Sequence, residues 1–117
     1  MQIRNAKYED LKNMCNLWNE VVSEEYFLKP FTQEEYKEKL LTNPDFDYES
    51  TFVIYDKEEL IAFAIGYLRK KYIDNPEVAG IVNAIIVKKE YRKQGIGSSL
   101  LKKLEEYFKE KGRKKIA

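Results

Sequence analysis

The forty residues from Val78 to the last residue, Ala117, constrain the fold of this chain more than any other stretch. Val78 to Val87 is nearly continuous in apolar side chains, where a half-exposed strand would alternate. That is the pattern of a strand covered on both faces, so the sequence predicts a strand in the middle of a sheet. From Ile96 the spacing changes. Leu100, Leu101, Leu104, Tyr107 and Phe108 follow the helical period, and Gly112 supplies a stop after Lys109 and Lys111. The turn between them carries Arg92-Lys93-Gln94-Gly95-Ile96-Gly97-Ser98-Ser99.

The upstream chain supplies further strands and helices for such a sheet. Gln2 to Arg4 reads as a short strand, and Tyr8, Leu11, Met14, Cys15, Trp18 and Val21 recur at helical spacing, giving one apolar face that is most simply core. Pro30 is expected to end this helical region. Thr32 with Glu35 forms a capping box ahead of Tyr36, Leu40 and Leu41, which predicts a second short helix. Thr42 to Ser50, with Asn43-Pro44-Asp45, reads as a loop. Phe52–Tyr55 and Ile61–Leu68 are rich in β-branched and aromatic residues, and Asp56-Lys57-Glu58-Glu59 separates them, which predicts an antiparallel hairpin. At 117 residues and 44% hydrophobic content the chain suits one domain, residues 1–117, with a single core.

Composition removes several kinds of chemistry. There is no histidine and only one cysteine. A Ser/His or Cys/His catalytic pair is therefore impossible, an internal disulfide is excluded, and no metal site is expected. Cys15 falls on the apolar helical stripe, where a small buried hydrophobe is its simplest role. No segment approaches the roughly 20 apolar residues of a membrane span, and a cytoplasmic protein is expected. The net charge of +1 gives no signature for nucleic acid. Charge is nonetheless uneven: residues 88–117 hold eleven Lys or Arg against four acids, a net +7, which leaves −6 elsewhere. A split of this kind fits either solvated helix faces or a basic site for a phosphorylated ligand beside an acidic region that attracts a cationic substrate.

The turn at Gly95 and Gly97 holds the candidate chemistry. First-turn amides of a helix lack intrahelical partners and point outward at the positive end of its dipole, so they bind phosphate readily. Arg92 and Lys93 place full positive charges beside them. A dinucleotide fingerprint would need a third glycine where Leu100 stands, and a P-loop would need Lys after Gly97, where Ser98 stands. Both are discarded. The remaining plain alternative is that the glycines only make a tight strand-to-helix turn.

In context, Ile85 to Leu101 resembles the signature of the GNAT (GCN5-related) N-acetyltransferases: an apolar strand ending in Val, a short turn, Arg or Gln-x-x-Gly-x-Gly or Ala, then a Leu-rich helix. Arg92-x-x-Gly95-x-Gly97 fills that pattern, with Lys89 standing where Pro is common. Ile3-Arg4 with Ala6 and Asp10 looks like the family's opening strand and helix, and Ile61–Tyr67 like its third strand. The resemblance implies an α+β, three-layer fold, with a mixed, mostly antiparallel sheet flanked by helices. It also implies acetyl-CoA as co-substrate and a small-molecule or peptide amine as acceptor, with neither nucleic acid nor membrane as partner. By the same resemblance, the backbone of Ile85, Ile86 and Val87 would pair with pantetheine, and the amides of Lys93, Gln94, Gly95, Ile96, Gly97 and Ser98 would wrap the pyrophosphate. Arg92 would anchor the turn or meet a phosphate.

The implied reaction is direct attack of a neutral primary amine on the thioester, with an oxyanion donor and an acid for the departing thiolate. Asn83 stands where the family often places an acidic or polar base, and an amide can only orient water or substrate. Glu24, Glu25 and Tyr67 are the other candidates. The acidic N-terminal part points toward a small cationic acceptor. Lys115-Ile116-Ala117 looks like the entry of a strand, so the domain is expected to be incomplete, lacking the family's C-terminal strands. An open sheet edge would also favour pairing with a second copy. A non-catalytic acyl-CoA-binding or dimerising module is the rival reading.

Overall fold

A computed structural model describes residues 1–72 and 74–117. Strand β1 (Ile3–Asn5) leads through a 3-10 turn into helix α1 (Leu11–Trp18), which continues as a π-helical turn (Asn19–Ser23) into the short α2 (Glu24–Tyr26). Helix α3 (Gln33–Leu41), strands β2 (Thr51–Asp56), β3 (Glu59–Tyr67) and β4 (Ile81–Val87), and helix α4 (Ile96–Glu110) follow. The strands form one sheet in the order β1-β2-β3-β4, each pair antiparallel. Gly80 and Ile116 add a single parallel bridge beside the start of β4.

Local chemistry explains these elements. Thr32 caps α3 through its Oγ1, which accepts from Glu35 N–H at 3.1 Å, while Glu35 accepts from Thr32 N–H at 3.0 Å. Alternation on β3 sends Phe63 and Ile65 to one face and Ala62 and Ala64 to the other. The first face packs with Leu11, Met14, Cys15, Tyr36 and Leu40 of α1 and α3; the second packs with Leu100, Leu104 and Phe108 of α4. Helices therefore cover both faces of the sheet, which gives the three-layer α+β architecture. Burying side chains the size of Phe63 and Phe108, both fully enclosed, contributes about 1.5–3 kcal/mol each. Cys15 is buried as expected.

One buried carboxylate ties the N-terminal elements together. Asp10, only 4% exposed, accepts from both Arg4 guanidinium nitrogens (2.8 and 2.9 Å), from Lys7 N–H (2.7 Å) and from Tyr55 OH (2.7 Å). Burial pushes this carboxyl up, but those donors outweigh it and hold it below the usual carboxylate range.

Two expectations are corrected. The strand foreseen in the middle of the sheet from Val78 to Val87 is shorter and lies at the edge, half-buried for most of its length. Its apolar side chains line a cleft beside the sheet, and β3 takes the fully enclosed position. The first helical region stops at Tyr26, with Phe27 left-handed at φ 55°, ahead of Pro30. Asn19 determines the path beyond that stop: its side chain donates to Phe31 O (2.8 Å) and accepts from Phe31 N–H (2.9 Å), folding the chain back on the helix. Among the described residues no helix is long and apolar enough to cross a membrane.

Candidate active site

The outer edge of β4 and the start of α4 meet in one cleft. Lys88 N–H donates inward to Ile61 O at 2.8 Å. By strand alternation the backbone groups of Val87 and Ile85 then point away from β3. Val87 O confirms this direction, since it accepts from Arg92 Nε at 3.0 Å on the outer side. Asn83 is skipped in the pairing, for Ile65 faces Ala84 and Gly66 faces Val82. This bulge re-aims the strand. On its far side the C-terminal segment pairs with the beginning of β4, Val82 N–H donating to Ala117 O at 2.9 Å. From Asn83 to Val87 the edge has no strand partner among the described residues.

The turn into α4 contains two left-handed residues, Lys93 (φ 64°) and Gly95 (φ 80°). A Cβ on Gly95 would meet nothing within 4 Å, so glycine is required there by backbone angle alone. Ser99 N–H closes the first turn on Gly95 O at 3.0 Å, which leaves the amides of Ile96, Gly97 and Ser98 aimed out of the helix end. Arg92 is held twice, by Val87 O and by Glu25, whose carboxylate lies 3.0 Å from its guanidinium.

A hollow of about 480 Å³ runs along this corner. Ile85, Ile86, Val87, Arg92, Lys93, Gly95, Ile96, Gly97 and Ser98 line it, so nine of the ten residues singled out for the cofactor come together, and Gln94 is the one that does not. The opposite wall is Val21, Val22, Glu25 and Tyr26, delivered by the π turn and α2. Sequence reading named Glu25 as a base candidate and Val21 as core, but did not foresee that they form a wall with Val22 and Tyr26. A π turn widens the helix over one turn only, too short to register in the spacing of apolar residues.

A smaller pocket, about 210 Å³, opens near Asn83. It joins two residues named from sequence, Asn83 and Tyr67, with Trp18, Phe31, Tyr36, Lys39, Leu40, Asn43 and Ile65. Burial pushes the Tyr67 phenol up, with Asn43 opposing as a hydrogen-bond donor, so Tyr67 stays protonated through the neutral range. The structure leaves Glu24 exposed and outside both hollows, while Glu25 lies on the larger one. Trp18 and Tyr36 had the spacing of core residues; a pocket wall and a core share one helical stripe, so no sequence signal separates them.

A third and larger hollow, about 680 Å³, lies beside the β2–β3 turn. Several of its charged groups are already engaged: Lys88 Nζ stands 3.0 Å from Glu59 and 3.7 Å from Glu20, and Tyr91 OH donates to Asp56 at 2.5 Å. It lacks outward helix amides. Among the described residues no group of His, Cys, Asp and Glu is placed to hold a metal ion.

Fold and site together define a three-layer α+β protein with an anion-receptive strand-to-helix turn beside an unpaired sheet edge. The chain belongs to the acetyltransferase (GNAT) family, whose model matches residues 12–117. No curated protein sequence matches it. Among solved structures, it is similar to an aminoglycoside N-acetyltransferase in complex with CoA (TM-score 0.73, 16% identity, 99% of this chain and 74% of that one). It is also similar to the ribosomal-protein-alanine N-acetyltransferase from Brucella melitensis biovar Abortus 2308 (0.73, 20%, covering 99% and 77%). A third is the aminoglycoside 6'-N-acetyltransferase from Acinetobacter haemolyticus (0.69, 24%, covering 100% and 77%). At these identities the likeness concerns the fold.

Proposed function

We propose that residues 1–117 form an acetyl-CoA-binding unit that transfers acetyl to a primary amine held in the pocket at Asn83 and Tyr67. The observation that carries this reading is the continuity of the outward edge at Ile85 and Val87 with the free amides at the start of α4. An extended arm with amides, such as pantetheine, finds partners along the first, and a diphosphate finds them at the second. Arg92 is the strut of the turn, because Val87 O and Glu25 both hold it. Lys93 supplies the mobile positive charge beside the amides. The CoA complex of a similar fold supports the same cofactor here.

The reaction joins the amine nitrogen to the thioester carbonyl carbon and breaks the C–S bond; the amine loses a proton and the thiolate gains one. Tyr67, kept protonated, serves as a donor to the developing charge. Asn83 orients the acceptor at the bulge. No carboxylate lines the small pocket among the described residues, so a carboxylate base does not stand there, and the amine reacts as the free base drawn from solution. Pairing of two copies through the β4 edge would cover Ile85 and Val87, so cofactor binding and that mode of dimerisation exclude each other.

Titration calorimetry with acetyl-CoA, followed by radiolabelled acetyl transfer to a panel of amines, tests the proposal. Micromolar binding abolished by Gly95→Asp, with the variant still folded by circular dichroism, is the expected result. Tyr67→Phe is expected to lower kcat about tenfold or more with KM little changed. Absence of acetyl-CoA binding would end this reading. Binding with no transfer to any amine would leave the binding module, which the carboxylate-free pocket also fits.

A further inference from the structure

We infer that the acceptor is a free amino acid: an amine that carries its own carboxylate and a compact apolar side chain. This rests on the acetyl-transfer reading above and narrows it, from the chemistry of the pocket at Asn83. That pocket and the cofactor cleft have walls supplied by neighbouring residues of the same two elements. Asn83 precedes Ile85 by two residues on β4, and Trp18 precedes Val21 by three on the helix opposite.

Part of its wall is apolar and packed together. Trp18 and Phe31 both pack against Tyr36, with ring centroids 6.5 and 6.0 Å away, and Leu40 and Ile65 fill the remaining apolar surface. Phe31 is fixed in place by the paired hydrogen bonds from Asn19 to its backbone. At about 210 Å³ the space equals roughly seven waters at ~30 Å³ each, enough for one branched or aromatic side chain. An aminoglycoside or a length of peptide exceeds it.

The charge of the pocket decides the rest. Lys39, exposed at the mouth, is the one charged residue among the described residues that line it; the Asp45 carboxylate stands near enough to Tyr67 to raise its phenol but does not line the hollow. Lys39 Nζ stands 5.0 Å above the Phe31 ring and so already takes that aromatic face. A polyamine would bring further positive charge toward Lys39, a repulsion softened by solvent because Lys39 is exposed. A carboxylate would gain a charge-assisted hydrogen bond there. Asn43, Tyr67 and Asn83 remain as neutral polar groups for the α-amine, the atom that must reach the thioester. Some of the acidic residues of the N-terminal part lie at the hairpin hollow instead, where Glu20, Glu58 and Glu59 line the surface.

Trp18 is the only tryptophan, so its fluorescence reports this pocket directly. The experiment titrates the CoA-loaded protein with L-leucine and L-phenylalanine, with their decarboxylated counterparts isopentylamine and phenethylamine, and with spermidine. Saturable changes in Trp18 emission are expected for the amino acids at concentrations tenfold or more below those for the bare amines. Lys39→Gln should erase that difference, while Lys37→Gln, whose side chain stacks on Tyr8 outside the pocket, should preserve it. Equal or tighter binding of the bare amines or of spermidine overturns the inference, as does an unchanged preference in Lys39→Gln. Acetyl-CoA calorimetry keeps the two readings apart. If acetyl-CoA gives no heat, the transfer reading fails, and the same titration of the unloaded protein still decides whether the pocket holds an amino acid.

Discussion

Gly95 and Gly97 sit two residues apart in one motif, yet alanine is expected to act oppositely at each. Gly95 adopts φ 80°, and an added Cβ there meets nothing within 4 Å. The cost is purely conformational, about 1–2 kcal/mol for an L residue in the left-handed region. Stiffening the unfolded chain returns about 0.4–1 kcal/mol, leaving a net loss near 1 kcal/mol. Gly97 lies in the first turn of α4, and its Cβ would touch Ile85 Cγ2 and Val87 Cγ2 at 3.9 Å, an ordinary contact. Gly97→Ala therefore gains about 0.5–1 kcal/mol. For 117 residues the unfolding entropy is about 0.25 kcal/mol/K, so 1 kcal/mol moves Tm by roughly 4 °C. Thermal unfolding followed by circular dichroism should show Gly95→Ala about 2–5 °C below the parent and Gly97→Ala about 2–4 °C above it. Acetyl-CoA calorimetry should separate them further: weakened binding for Gly95→Ala, whose turn is redrawn, and binding within about threefold of the parent for Gly97→Ala. Equal melting temperatures for the two variants would refute the assignment of the left-handed backbone to Gly95 rather than Gly97.

Two further outcomes follow from the packing. Asp10→Asn removes the charge that Arg4, Lys7 N–H and Tyr55 all face, and is expected to cost about 2–3 kcal/mol, less than a fully buried pair because Arg4 remains 45% exposed. Since the folded pKa of Asp10 lies below the ordinary carboxylate value of about 3.9, its stabilisation is complete above that value and fades as pH falls through the folded one. Melting curves from pH 7 to pH 2 should therefore converge for parent and variant only at the acid end. Gly80→Ala would place a Cβ 2.4 Å from the fully buried Phe108 ring, costing about 1–3 kcal/mol by overpacking; Phe108→Leu in the same chain should recover part of the lost Tm in calorimetric scans.

What could be read from the sequence was whatever depends on reciprocal or local chemistry. Thr32 and Glu35 satisfy each other's amides, so their spacing alone placed the start of α3. The β2–β3 hairpin followed from two β-rich runs around a charged turn, and the tight turn into α4 from the glycines at 95 and 97, though the spacing did not say which of the two is left-handed. The edge position of β4 was not readable. A strand buried by a neighbouring strand and a strand whose apolar side chains line a ligand cleft have the same composition; only tertiary placement separates them. Trp18 and Tyr36 pose the same ambiguity on helices, as pocket wall or core.

That ambiguity has a physical source which also makes the site work. An unpaired strand edge inside a folded protein leaves backbone donors and acceptors needing partners, and an exposed edge invites another chain. Here the Asn83 bulge turns β4, and the wall of Val21, Val22, Glu25 and Tyr26 lines the cleft beside Ile85 to Val87. Under the proposed function, a thin extended arm would lie along that edge. The apolar residues that made the run look buried keep that arm's surroundings dry, which strengthens every hydrogen bond Ile85 and Val87 can offer. A polar substitution that merely solubilised this edge, such as Ile86→Lys, would weaken the cleft by admitting water, even though no backbone donor had been removed.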